Sequence, residues 1–98
     1  MKLKNEKIRN EKLYRVGYIP SIAKCVMACI VTGIVWYDEY FEISEEEYNS
    51  FGTDRLDKLD LELRNQGSGS PRFLFSDKNE ENTNDQRKLM DIVIAEMK

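Results

Sequence analysis

Six carboxylates crowd the ten residues from Asp38 to Glu47: Asp38, Glu39, Glu42, Glu45, Glu46 and Glu47, with no Lys or Arg among them and with Tyr40 and Phe41 interleaved. Two kinds of chemistry are open to such a run. A pair of carboxylates can act as general acid and base across a scissile bond. Alternatively, carboxylates set among aromatic anchors can recognise a basic partner and speed its approach. Nothing in the spacing selects a pair for hydrolysis, so the second chemistry is favoured. The predicted contact residues are Asp38, Glu39, Tyr40, Glu42, Glu45 and Glu46, with Asp54, Asp57 and Asp60 as an extension.

The rest of the composition narrows the choice. The chain has no His, which removes the usual general base near neutral pH and the commonest metal ligand. Cys25 and Cys29 stand four apart in an apolar run and cannot complete a zinc site without a further Cys or His. They read as buried reduced thiols, the usage of a reducing cytoplasm. No GxGxxG, GxxxxGK, HExxH or GxSxG occurs, and Asp54, Asp57 and Asp60 lack the Gly and closing Glu of a calcium loop. The expectation is a cytoplasmic protein that is not an enzyme, with no cofactor, no metal and no small-molecule substrate.

Charge is divided along the chain. Residues 1 to 24 carry seven bases against two acids, and the remainder eight bases against sixteen acids, so a net charge of -3 hides a basic start and an acidic body. A nucleic-acid-binding regulator could use the basic arm, but the acidic body would repel the same polyanion, and Tyr14 and Tyr18 are more economically core residues than stacking platforms. A membrane-associated protein could use residues 16 to 37 as a span. A helical span needs about 20 apolar residues, and this stretch reaches that length only by including Pro20 and Lys24. Neither nucleic acid nor membrane is therefore an expected partner.

These residues need elements to hold them. Ninety-eight residues with 41% hydrophobic content make one domain around a single core, with residues 1 to 12 as an exposed helix or a loose basic arm. Leu13 to Ile19 has strand-like content and is stopped by Pro20. The apolar run that follows fits a buried helix or two strands. Its β-branched and aromatic content, interrupted by Gly33, favours two antiparallel strands at about 24 to 31 and 34 to 43. On the second, Trp36, Asp38, Tyr40 and Glu42 share a face predicted to meet solvent, and Tyr37, Glu39, Phe41 and Ile43 share the other.

Ser44 and Glu47 form a capping box with Ile43 and Tyr48 as its staple, so a helix is expected to begin at Glu45. Glu45 to Glu47 then lie where a helix favours negative charge, which by itself explains half of the acidic cluster. Gly52 ends this helix, and Thr53 caps another running to Gln66, with Leu56, Leu59 and Leu63 packed and Asp54, Asp57, Asp60 and Glu62 off that face. Residues 72 to 76 read as a short strand with Phe73 and Phe75 on one side. Thr83 and Gln86 open a last helix through about Met97 that buries Leu89, Ile92, Val93 and Met97. The fold class is α+β, a small mainly antiparallel sheet packed by two or three helices.

In style and size, the segments Trp36 to Tyr48 and Arg72 to Asp77 resemble the small acidic immunity proteins of bacterial toxin delivery systems, notably contact-dependent growth inhibition. The resemblance implies a protein that binds a cognate basic toxin domain, such as a nuclease, and blocks it by stoichiometric contact without a cofactor.

Overall fold

The apolar run at the centre of the chain folds as the two middle strands of a five-stranded sheet. The computed structural model describes residues 1–97. Its strands are β1 (Lys4–Arg9), β2 (Tyr14–Ile19), β3 (Lys24–Val31), β4 (Tyr37–Ile43) and β5 (Phe73–Ser76), and its helices are α1 (Glu45–Asn49), α2 (Asp54–Gln66) and α3 (Asn84–Met97). The sheet order is β1-β2-β3-β4-β5 with every neighbour antiparallel, so each strand pairs with the next in sequence. The molecule is an α+β fold, as its alternating and capping patterns predict. No helix among the described residues is long and apolar enough to cross a membrane.

Both faces of the sheet are covered, which corrects the expectation of a solvent-facing side on β4. On one face Tyr14, Val16, Met27, Cys29, Phe41 and Ile43 pack against Leu56 and Leu63 of α2. On the other, Leu3, Val26, Ala28, Tyr40 and Phe75 pack against Met90 and Val93 of α3. Strand alternation sends Tyr40 and Phe41 into opposite cores, and both are fully buried. Cys29 is buried and Cys25 half-buried, and neither is in a disulfide.

Three other expectations are corrected. Residues 4 to 9 are a strand, the sheet's edge, and not a helix or loose arm. Asn5 lies at φ 53 within a register shift between Lys4 and Lys7, and this bulge breaks the alternation that would have marked a strand. The chain returns through the turn Asn10–Lys12 with Leu13 left-handed at φ 59, a position usually given to Gly. The N-terminal segment crosses close over Gly17, where a Cβ would clash with the Leu3 Cβ. Next, Phe73 and Phe75 lie on opposite faces. The register slips between Tyr40 and Phe41, so Phe75 stacks on Tyr40 at 4.8 Å and Phe73 meets Phe41 edge-on at 5.7 Å. Finally, Ile92 is exposed; α3 packs through Leu89, Met90 and Val93, and the Met97 side chain lies outside the described residues.

Helix starts follow the local signals. The Ser44 hydroxyl accepts from the Glu47 amide at 3.0 Å and the Glu47 carboxylate accepts from the Ser44 amide at 2.8 Å. Thr83 and Gln86 repeat the arrangement at 3.2 and 2.8 Å. Thr53 holds the cap position of α2, but its hydroxyl donates to the Ser50 carbonyl instead of capping. Replacing Ser44 by alanine is expected to cost about 1 kcal/mol, read as a lower urea midpoint with an unchanged slope. A change below a few tenths of that would deny the box any hold on α1.

Candidate functional site

The acidic run does not form one surface. Asp38 carries an ion pair with Arg15 at 2.8 Å, Glu42 with Lys24 at 2.9 Å, Glu46 with Arg55 at 3.0 Å and Glu47 with Arg72 at 2.7 Å. Glu39 is only 6% exposed and Tyr40 is wholly enclosed, which removes both from any outward contact face. Glu45 and Glu46 are exposed at the start of α1, with Glu42 half-exposed nearby. Of the three predicted carboxylates on α2, Asp54 alone is open to solvent. Asp57 binds the Arg9 guanidinium through both oxygens at 3.1 and 3.2 Å and accepts from the Tyr14 hydroxyl at 2.7 Å. Asp60 is 3% exposed and bound to Arg64. The predicted extension is thus split: Asp57 and Asp60 are struts neutralised by Arg9 of β1 and Arg64 of α2, and Asp54 stays on the surface.

Electrostatics follow these pairings. Burial opposes the charge on Glu47, but Arg72 and the Ser44 amide outweigh it and hold the carboxyl below its usual range. The Arg9 guanidinium, then the Tyr14 hydroxyl, hold Asp57 low. Asp60 is pushed up by burial in spite of Arg64. Burial raises Glu39 most, to about 7, assisted by a hydrogen bond with the carboxyl of Glu81. Glu81 moves the other way: burial disfavours its charge, yet the Tyr37 hydroxyl at 2.7 Å, Glu39 and Ser76 hold it low. Its other oxygen, Oε1, is buried without a hydrogen-bond partner. The raised Glu39 carboxyl of β4 thus neighbours the lowered Glu81 carboxyl of the turn at Asn79–Glu81, and Arg64 of α2 opposes part of the rise at Glu39.

What lies open instead is the turn between β3 and β4. Ile34, Val35 and Trp36 are 105%, 74% and 60% exposed, three consecutive large apolar side chains at the tip of the sheet. The expected strand over 34 to 43 begins three residues later, at Tyr37, so these side chains never enter the ladder. Beside them runs a cleft of about 640 Å³ whose walls include Val31, Ile34, Val35, Tyr37, Asp77 and Glu80. A second cleft, of about 440 Å³, opens on Glu39, Arg64 and Glu81. A third, of about 230 Å³, is walled by Ile30, Trp36, Tyr37, Asp38 and Asp77. All three share Tyr37. Sequence reasoning missed this tip because β-branched and aromatic residues read as strand and core. The one signal in the chain was Gly33, which marks a turn here, although residues 34 to 36 were expected to pair with the strand before it.

Comparison of the chain with models of protein families, with curated proteins and with solved structures finds no match in any of the three.

Proposed function

We propose that the protein is a cytoplasmic immunity-type inhibitor, which binds a cognate basic toxin domain through the β3–β4 tip and blocks it by one-to-one contact. The observation that carries this reading is the exposure of Ile34, Val35 and Trp36 at one place. Large apolar side chains held in water on a short turn cost solvation that only an apolar contact recovers. A Trp among them is the residue type most often dominant in interfaces. Asp77 and Glu80 flank the tip with Lys78 between them, a rim of net acidic charge suited to selecting a basic partner and steering its approach. Contact thus shifts from the acidic run itself to the turn that precedes it, with Glu42, Glu45 and Glu46 on the far end of β4 as an outer field.

The test is protection and titration with the toxin domain encoded next to this chain's gene. Cells making the chain should survive that domain, and calorimetry should give a one-to-one complex whose affinity falls with salt. Trp36→Ala should weaken it by about 30-fold or more, the loss expected of a dominant interface residue. Reversal of Glu42 and Glu46 to Lys should mainly slow association and flatten the salt dependence. No protection and no complex would end the inhibitor reading; an intact complex with Trp36→Ala would move the interface elsewhere.

A further inference from the structure

We infer that the cleft between Trp36 and the paired carboxylates Asp38 and Asp77 is a socket for one arginine side chain of a protein partner. The inference rests on the inhibitor reading and names the chemistry by which the tip selects its target.

The socket is made by chain crossing. β4 enters the sheet at Tyr37, and the end of β5 returns beside it, where the Asp77 amide donates to the Asp38 carbonyl at 3.0 Å. This brings two carboxylates from distant sequence to the foot of the exposed indole. They sit around one hydroxyl: Tyr40 Oη lies 3.4 Å from Asp38 Oδ2 and 3.3 Å from Asp77 Oδ2. Arg15 is the one guanidinium in the group, and it is divided between Asp38 at 2.8 Å and Glu6 at 2.7 Å. Its charge is therefore already shared between two carboxylates, and neither of them is Asp77. Among the described residues no Lys or Arg comes within ion-pair distance of Asp77. Two other cations act from further off, the α-ammonium on Asp77 and Lys78 over the Tyr37 ring at 5.6 Å.

The arrangement has what a guanidinium needs. Ile30 and the exposed Trp36 indole offer apolar and aromatic surface for its flat face, and the carboxylates offer acceptors for its edge. Partial burial, followed by the neighbouring Asp38 charge, pushes the Asp77 carboxyl above its usual range, a cost that an arriving cation relieves. An ammonium would satisfy the charge but not the planar walls, which favours arginine over lysine.

Trp36 is the chain's single tryptophan and reports on the cleft directly. N-acetyl-arginine N-methylamide should shift its emission saturably, while the uncharged citrulline counterpart should not. Asp77→Asn should weaken the arginine response about tenfold, and the same variant should weaken the toxin-domain complex. An equal response to citrulline, or an arginine response unchanged by Asp77→Asn, overturns the socket. A toxin domain bound equally well by Asp77→Asn also overturns it while leaving the inhibitor reading standing. Arginine uptake that depends on Asp77, with no toxin-domain complex at all, supports the socket and ends the inhibitor reading.

Discussion

Replacing Arg64 by alanine is expected to cost about 3 to 5 kcal/mol, the loss typical of stranding one member of a buried ion pair. The guanidinium is fully committed. Its Nε faces both oxygens of Asp60 at 2.9 and 3.0 Å, Nη1 donates to the Ile30 carbonyl, and Nη2 donates to the Leu13 carbonyl with Lys12 at 3.3 Å. One side chain of α2 thereby terminates β3 and anchors the β1–β2 turn, where Leu13 is held left-handed. Without it, Asp60 becomes an unpaired carboxylate in the interior, and the Ile30 and Leu13 carbonyls each lose one donor, Leu13 keeping the Ile30 amide at 3.0 Å. A domain of this size has about 5 to 15 kcal/mol in hand, so the variant should sit close to unfolding in a urea titration. Arg64→Lys should recover only part, because an ammonium cannot span acceptors on three elements.

Two controls separate this from a general packing loss. Asp60→Asn in the Arg64→Ala background should restore part of the stability by removing the stranded charge. The deficit should also shrink with acid. Burial already raises Asp60 above its unfolded value of 3.8, so the native state takes up its proton first and gains stability as pH falls; loss of Arg64 widens that window upward. An Arg64→Ala protein with the native midpoint, or a double variant no better than the single, would refute the strut.

The second large effect concerns the proton between Glu39 and Glu81. Glu39 ionises at about 7 in the folded chain against an ordinary 4.5, so between those values the native state holds one proton that the unfolded chain has lost. Its contribution is complete below about 4.5 and disappears as pH rises through 7. The size is about 1 to 3 kcal/mol, at about 1.4 kcal/mol for each tenfold difference in proton affinity between folded and unfolded chain, reduced for screening by water in the cleft. The depressed Glu81 acts in a separate window, below its ordinary 4.5, and with the opposite slope. Glu39→Gln keeps a donor towards Glu81 at every pH. Its stability curve should be flatter than that of the parent from pH 5 to 8 and should lie above it at pH 8. Parallel curves for the two proteins would mean that no proton is held there.

Which parts of this architecture are legible along the chain follows from range. β2, β3 and the body of β4 are short apolar stretches bounded by Pro20, Gly33 and Ser44, and the two capping boxes are contacts over three residues. Each is settled by neighbours in sequence, and each was readable. The face of β4 was not, because its alternation is symmetric and either side could have been wet; two helices from later in the chain cover both. The opposite orientations of Phe73 and Phe75 depend on a register slip against β4 that leaves no mark in four residues of sequence.

The acidic run shows the same division most clearly. Composition alone establishes an α+β chain with a basic start, an acidic middle and helices opening at Glu45 and near Thr83. Whether those charges face outward is a matter of long-range pairing. Arg9, Arg15 and Lys24 of the basic start meet Asp57, Asp38 and Glu42 across 48, 23 and 18 residues, so part of the charge asymmetry of the linear chain is cancelled by pairing in the folded one. Coulomb attraction acts through space and not along sequence. Folding therefore decided which carboxylates stayed free, and it left the apolar turn at Ile34, Val35 and Trp36 in water.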